Sequence, residues 1–179
     1  LFSERIDELT PIKSTPSHLD KLFRLLENAL KSSTVSGKHT SVSGVLHEIA
    51  EKTHRRSLVI IFSDMFDGTS ESQEDIFKSL QHLKHNKHEV LLFHVSDHET
   101  EMAFNFDDRP YEFVDLESGD KLKLNPMEIK DAYTGALAGF HRNLKLRCNQ
   151  LRIDFVSANA RSDYFQVLQQ YLIKRGKMR

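Results

Sequence analysis

Leu58-Val59-Ile60-Ile61-Phe62-Ser63-Asp64 is the stretch that decides the fold. Its unbroken run of β-branched and aromatic residues suits a strand covered on both faces, as in a parallel sheet, whereas a half-exposed strand would alternate apolar and polar residues. Beyond it, Ile76, Phe77, Leu80 and Leu83 recur at helical spacing behind a Ser72/Asp75 cap, and a second apolar run follows at Val90-Leu91-Leu92-Phe93-His94-Val95. Strand, helix, strand implies a parallel crossover, with 58–62 expected as the central spine of the sheet.

Working outward, Leu19, Leu22, Phe23, Leu26 and Leu30 mark a helix behind Ser17 and Asp20, which read as a capping box. The small polar segment 32–43 feeds a short helix with Val45, Leu46, Ile49 and Ala50 inward. Tyr111 to Leu116 and Lys121 to Leu124 flank Glu117-Ser118-Gly119-Asp120, the pattern of a β-hairpin turning at Gly119. Asn125-Pro126 starts a long helix through Ile129, Tyr133, Leu137, Phe140, Leu144, Cys148 and Leu151. Ile153 to Val156 reads as a last short strand, and Tyr164, Phe165, Leu168, Tyr171 and Leu172 line a final helix. The sum is an α/β fold with a doubly wound, mainly parallel sheet, read as one domain over 1–179 with a hairpin inserted at 111–124. Leu1-Phe2-Ser3-Glu4-Arg5-Ile6 reads as the middle or end of a strand and suggests a piece of a longer protein.

Composition narrows the function classes. With 39% hydrophobic and 28% charged residues the chain can build a core, and 25 basic against 26 acidic side chains leave no charge excess of the kind that attracts nucleic acid. The basic clusters Arg142, Lys145, Arg147 and Lys174-Arg175-Gly176-Lys177-Met178-Arg179 read as solvated helix ends. No run approaches the roughly 18–20 apolar residues that span a bilayer, so no membrane contact is expected of this segment. The lone Cys148, on a helix's apolar stripe, reads as a buried thiol in a reducing, cytoplasmic setting.

Ligands of such sheets gather beyond the carboxyl ends of the strands, which selects Ser63, Asp64 and Asp67 after one strand and Ser96 and Asp97 after the next. Thr40, Ser41 and Ser43 should reach the same edge. Carboxylate and hydroxyl oxygens suit Mg²⁺. An alternative is a haloacid-dehalogenase-type phosphatase, because Asp64-Met-Phe-Asp67-Gly-Thr69 echoes that Asp-x-Asp-Gly-Thr signature. Its two aspartates, however, stand one residue too far apart for a nucleophile and a general acid to project together. His82, His85 and His88 at three-residue spacing invite a zinc site, yet a solvated basic helix end explains them.

Arg56-Ser-Leu-Val-Ile-Ile-Phe-Ser-Asp64, preceded by Gly37-Lys-His-Thr40-Ser-Val-Ser-Gly-Val-Leu46, resembles the middle of a von Willebrand factor type A domain. More closely, the chain resembles a bacterial family of unknown function related to those domains and commonly encoded beside MoxR-type AAA ATPases. That likeness runs from Leu1 through His94-Val-Ser-Asp97-His-Glu99 to Asp163-Tyr-Phe-Gln-Val-Leu. It implies a metal-ion-dependent adhesion site in which Thr40 and Asp64 are metal ligands, with Ser63, Ser41, Asp67 and Asp97 on the surrounding interaction surface. The Asp-x-Ser-x-Ser loop of such sites does not occur in this chain. The resemblance therefore implies an N-terminally truncated domain, lacking its first central strand, that holds no cofactor by itself although the parent protein binds Mg²⁺. It implies a non-enzymatic protein-interaction role, with a MoxR-type ATPase as partner in assembly or maturation. Homodimerisation through strands left unpaired is a second expectation, and a metal-free scaffold a further alternative.

Overall fold

The computed structural model describes residues 1–2, 5–31, 41–66, 73–115 and 119–176. Helices α1 (Pro16–Lys31) and α2 (Val42–Lys52) precede β1 (Leu58–Ser63), α3 (Gln73–His85) and β2 (Glu89–Ser96). A single π-type turn, His98–Met102, leads to the hairpin β3 (Tyr111–Val114) and β4 (Lys121–Leu124). Helix α4 (Pro126–Gln150), β5 (Asp154–Asn159) and α5 (Tyr164–Gly176) complete the chain. Strands β1, β2 and β5 form a parallel sheet in that spatial order.

The register explains the core. Ile61 pairs with Leu92, and Leu92 with Phe155, so these residues share one face of the sheet. On that face Ile61, Val90 and Leu92 pack with Val42, Leu46 and Ala50 of α2, Ile76, Phe77, Leu80 and Leu83 of α3, and Leu144 and Cys148 of α4. The inward faces of these three helices match their apolar spacing in the sequence. On the opposite face Phe62 stacks on Phe93 at 4.7 Å, and Tyr171 of α5 meets Phe93 edge-on at 6.1 Å.

The spine of the sheet is β2, whose residues 90–94 are all buried, and among the described residues β1 is an edge strand. Leu58, Ile60 and Phe62 are 44%, 47% and 62% exposed, whereas α5 meets this face of the sheet at Phe93 of β2 and along β5. An apolar run specifies two coverable faces, and which strand receives neighbours on both edges is decided by the rest of the chain. A similar difference holds at α1, where Leu19, Phe23, Leu26 and Leu30 are exposed and His18 alone is buried. The helix begins at Pro16, with the Thr15 carbonyl accepting from the His18 and Leu19 N–H groups, so Ser17 lies inside its first turn and not at the cap. Phe2 and Ile6 form an isolated antiparallel bridge where a strand was expected.

Elsewhere the expected elements stand. Pro126 opens α4, and the Asn125 side chain accepts from the Met127 N–H at 3.1 Å, a cap followed by the residue that needs no amide partner. The hairpin closes through Gly119, whose φ of +78° a side chain would resist. Its two strands pair from Tyr111↔Leu124 to Val114↔Lys121. Strand β5 starts and ends slightly later than its apolar pattern suggests. Among the described residues no helix is long and apolar enough to cross a membrane.

Candidate functional site at the carboxyl edge of the sheet

After β1 the chain turns sharply. Ser63 Oγ accepts from the Met65 N–H at 2.9 Å, and Asp64 Oδ1 accepts from the Phe66 N–H at 3.1 Å. Two local side-chain acceptors thus replace the ladder partners lost at the strand end. Met65 takes a left-handed φ of 57° and is nevertheless fully buried. Seating its side chain in the core offsets the backbone strain and turns Asp64 and Phe66 outward, where both are exposed.

Beside this turn an apolar groove of about 300 Å³ lies between Met65 and Phe66, Gln73 and Ile76 of α3, and Tyr133, Leu137 and Phe140 of α4. Phe66 stacks on Phe140 at 5.3 Å and forms one wall. Tyr133 forms another, and its ring meets Phe104 at 4.4 Å. Phe104 is buried and also contacts Phe106 and Phe113, tying the hairpin to α4 beside the groove. The hairpin therefore forms its own two-stranded sheet, docked through an aromatic cluster.

Beneath Asp64 sits His94, buried among Phe140, His141 and Phe155 with ring centroids 5.2–6.4 Å away. Burial lowers the His94 pKa, His141 and His98 add to the effect, and the Asp64 carbonyl and charge oppose it. Neither His94 ring nitrogen meets full hydrogen-bond geometry with a described residue. Burial, Lys145 and His98 likewise lower His141.

Asp97, at the end of β2, is largely covered, with its side chain 17% exposed. Its carboxylate caps the next turn by accepting from the Glu99 and Thr100 N–H groups at 3.0 and 3.3 Å, and Arg161 Nε donates to it at 2.7 Å. Burial would raise its pKa, but the hydrogen bonds from Thr100, Glu99 and Arg161 outweigh that and hold it below the ordinary carboxylate value. Asn159 Oδ1 accepts from the His98 and Arg161 N–H groups, so the ends of β2 and β5 are joined by one polar network.

Ser41 lies at the start of α2, where a Cβ on Gly44 would come within 2.8 Å of its hydroxyl oxygen. No hydrogen bond joins Ser41 to Asp64 among the described residues. Thr40 and Asp67 lie outside them, as does Ser72. At the end of β1 the described part of the edge thus offers the exposed carboxylate of Asp64, with the Ser63 hydroxyl adjoining it. Such hard oxygen donors suit Mg²⁺, which binds through one or two carboxylates and retains several waters.

The histidines divide by environment. His88 follows α3 as expected but is buried, with Ser57 N–H donating to its Nδ1 at 3.3 Å, so it is no solvated helix-end residue. His85 is exposed, and His82 turns toward His47 and Glu51 of α2. The His47–Glu51 spacing placed those two on one helix face, but their partner on α3 is 31 residues or more away and only packing brings it near. Cys148 is buried in the core, which pushes its thiol up to about 12, as expected of an unreactive packing residue.

No curated protein and no solved structure matches this chain. A family profile described as "Protein of unknown function DUF58" matches residues 1–143. The α/β chain that carries this strand-edge groove belongs to that family.

Proposed function

We propose that this chain is a non-enzymatic protein-recognition domain that presents the edge at Asp64, and the groove beside it, to another protein. One observation carries the reading: exposed Asp64 and Phe66 flank an apolar recess whose far wall is braced by a docked hairpin. Apolar surface ringed by polar groups is the common anatomy of a partner site. Phe66 anchors a partner's apolar side chain, and Asp64 sets its orientation.

By the resemblance to von Willebrand A domains, Asp64 and Thr40 contribute to a Mg²⁺ site in the parent protein, with Ser63, Ser41, Asp67 and Asp97 around it. When bound there, Mg²⁺ supplies a positive centre for an acidic group of the partner. The same resemblance proposes a MoxR-type AAA ATPase as partner, in the assembly or maturation of a complex, and a cytoplasmic setting.

The test is calorimetric titration with a purified MoxR-type ATPase, with Mg²⁺ and with chelator. Phe66→Ala and Asp64→Ala should each weaken binding by about tenfold or more, the loss of one interface anchor. Unchanged affinity in both variants rejects this surface, and no binding by wild-type chain rejects this partner.

A further inference from the structure

Away from the strand edge, α2 and α3 meet over a histidine pair. His47 and Glu51 stand one helical turn apart on α2, and His82 faces them from α3. His82 Nδ1 lies 3.1 Å from His47 Nδ1, and His82 Nε2 lies 3.0 Å from Glu51 Oε1. The two rings are 4.7 Å apart. One donor atom from each residue can be chosen so that all three fall within 4.8 Å of one another.

We propose that His47, Glu51 and His82 form a binding site for a divalent transition-metal ion, Zn²⁺ foremost. A zinc ion at about 2.0–2.1 Å from each ligand holds tetrahedral neighbours roughly 3.4 Å apart. The histidine nitrogens already stand near that separation. Glu51 is mostly exposed, its side chain 63% accessible, and closes the remaining distance by rotating. Two imidazoles and one carboxylate suit Zn²⁺, Cu²⁺ or Ni²⁺ better than Mg²⁺, so this donor set is chemically distinct from the oxygens at the strand edge. Three protein ligands leave a fourth position for water or a partner's side chain.

Without metal the same groups can satisfy one another: with the His82 proton on Nε2, facing Glu51 Oε1, its Nδ1 is left to accept from His47 Nδ1–H. Metal binding at His47 Nδ1 moves that proton to Nε2, giving the other neutral tautomer, and no other covalent change is needed. Access is open, because His47 and His82 line a surface groove with Ser43, Gly44, Asp75 and Lys78. Lys78, the one cation among the described residues of that wall, is paired with Asp75 at 2.7 Å, which offsets its repulsion of a metal ion. The Ser79 hydroxyl donates to the Ser43 carbonyl at 2.9 Å, so the helices carrying the ligands are already fixed together.

The experiment titrates Zn²⁺ into chelator-treated chain against a chromophoric competitor, with Co²⁺ absorption reporting coordination geometry. One ion per chain is expected. His47→Ala and His82→Ala should each weaken binding by about a hundredfold or more, since loss of an outer-shell partner alone costs 10–100-fold. Glu51→Gln, a conservative change at an exposed position, should also weaken it, while His85→Ala on the same helix should not. Zn²⁺ should raise the melting temperature of wild type and His85→Ala but not of the other three variants. Equal zinc affinity in wild type and His82→Ala, or an equal loss in His85→Ala, overturns the proposal. Glu51→Gln keeps it testable if a histidine variant fails to fold.

Discussion

Phe104→Ala should release the hairpin without unfolding the parallel sheet. Phe104 is 6% exposed, and its ring meets Tyr133 at 4.4 Å, Phe106 at 5.0 Å and Phe113 at 6.2 Å. Its backbone φ of 46° is equally strained for alanine, so the substitution changes packing and leaves the strain as it was. Removing a buried phenylalanine costs about 3–5 kcal/mol, and this small cluster, able to collapse, should sit near 3 kcal/mol. At about 1.4 kcal/mol per factor of ten, the opening equilibrium of the hairpin rises roughly a hundredfold. Native-state hydrogen exchange is the assay, because it resolves local opening from global unfolding. Amides of β3 and β4 should lose about that much protection, while those of β2, anchored in a separate core, lose much less. An equal loss in all strands, or none in the hairpin, would refute the view that this cluster docks it.

Acid should destabilise the chain through His94. Its folded pKa is lowered from 6.5, so the neutral form is the one that folds; stability is full above the unfolded value and falls as pH drops below roughly 6.5. Urea midpoints at pH 7 and pH 5 should differ for wild type, and the gap should shrink in His94→Leu. Cys148, with its thiol raised to about 12, should react with a thiol reagent only at the rate at which the core opens, and rapid labelling of native chain would contradict its burial. The exposed Leu58, Ile60 and Phe62 on edge strand β1 should drive concentration-dependent association, seen as rising mass in light scattering and reduced by Phe62→Lys. A constant monomer mass across concentrations would reject it.

The local pattern carried α3, α4, the hairpin and the core face of α2, because each depends on contacts within a few residues: apolar spacing, the Asn125-Pro126 start, the Gly119 turn. It also located Asp64 at a strand end, since strand polarity follows from the order of elements. The rank of β1 within the sheet was not legible. The same Leu-Val-Ile-Ile-Phe run fits a centre or an edge, and pairing on the far side of β2 settled it. Met65 and Phe66 join Tyr133 and Phe140 only because α4 returns across the sheet, which made the groove invisible to spacing arguments. His82, His85 and His88 read from spacing as a basic helix end, but packing separated them, exposing His85, burying His88 and turning His82 to His47 and Glu51. Sequence alone determined most of the helices and strands and where the strand ends point, because those are short-range preferences of the backbone; the segment 1–6, expected as strand, forms only an isolated bridge among its described residues. Tertiary structure alone decided which side chains converge, because convergence depends on the register and packing of elements far apart in the chain.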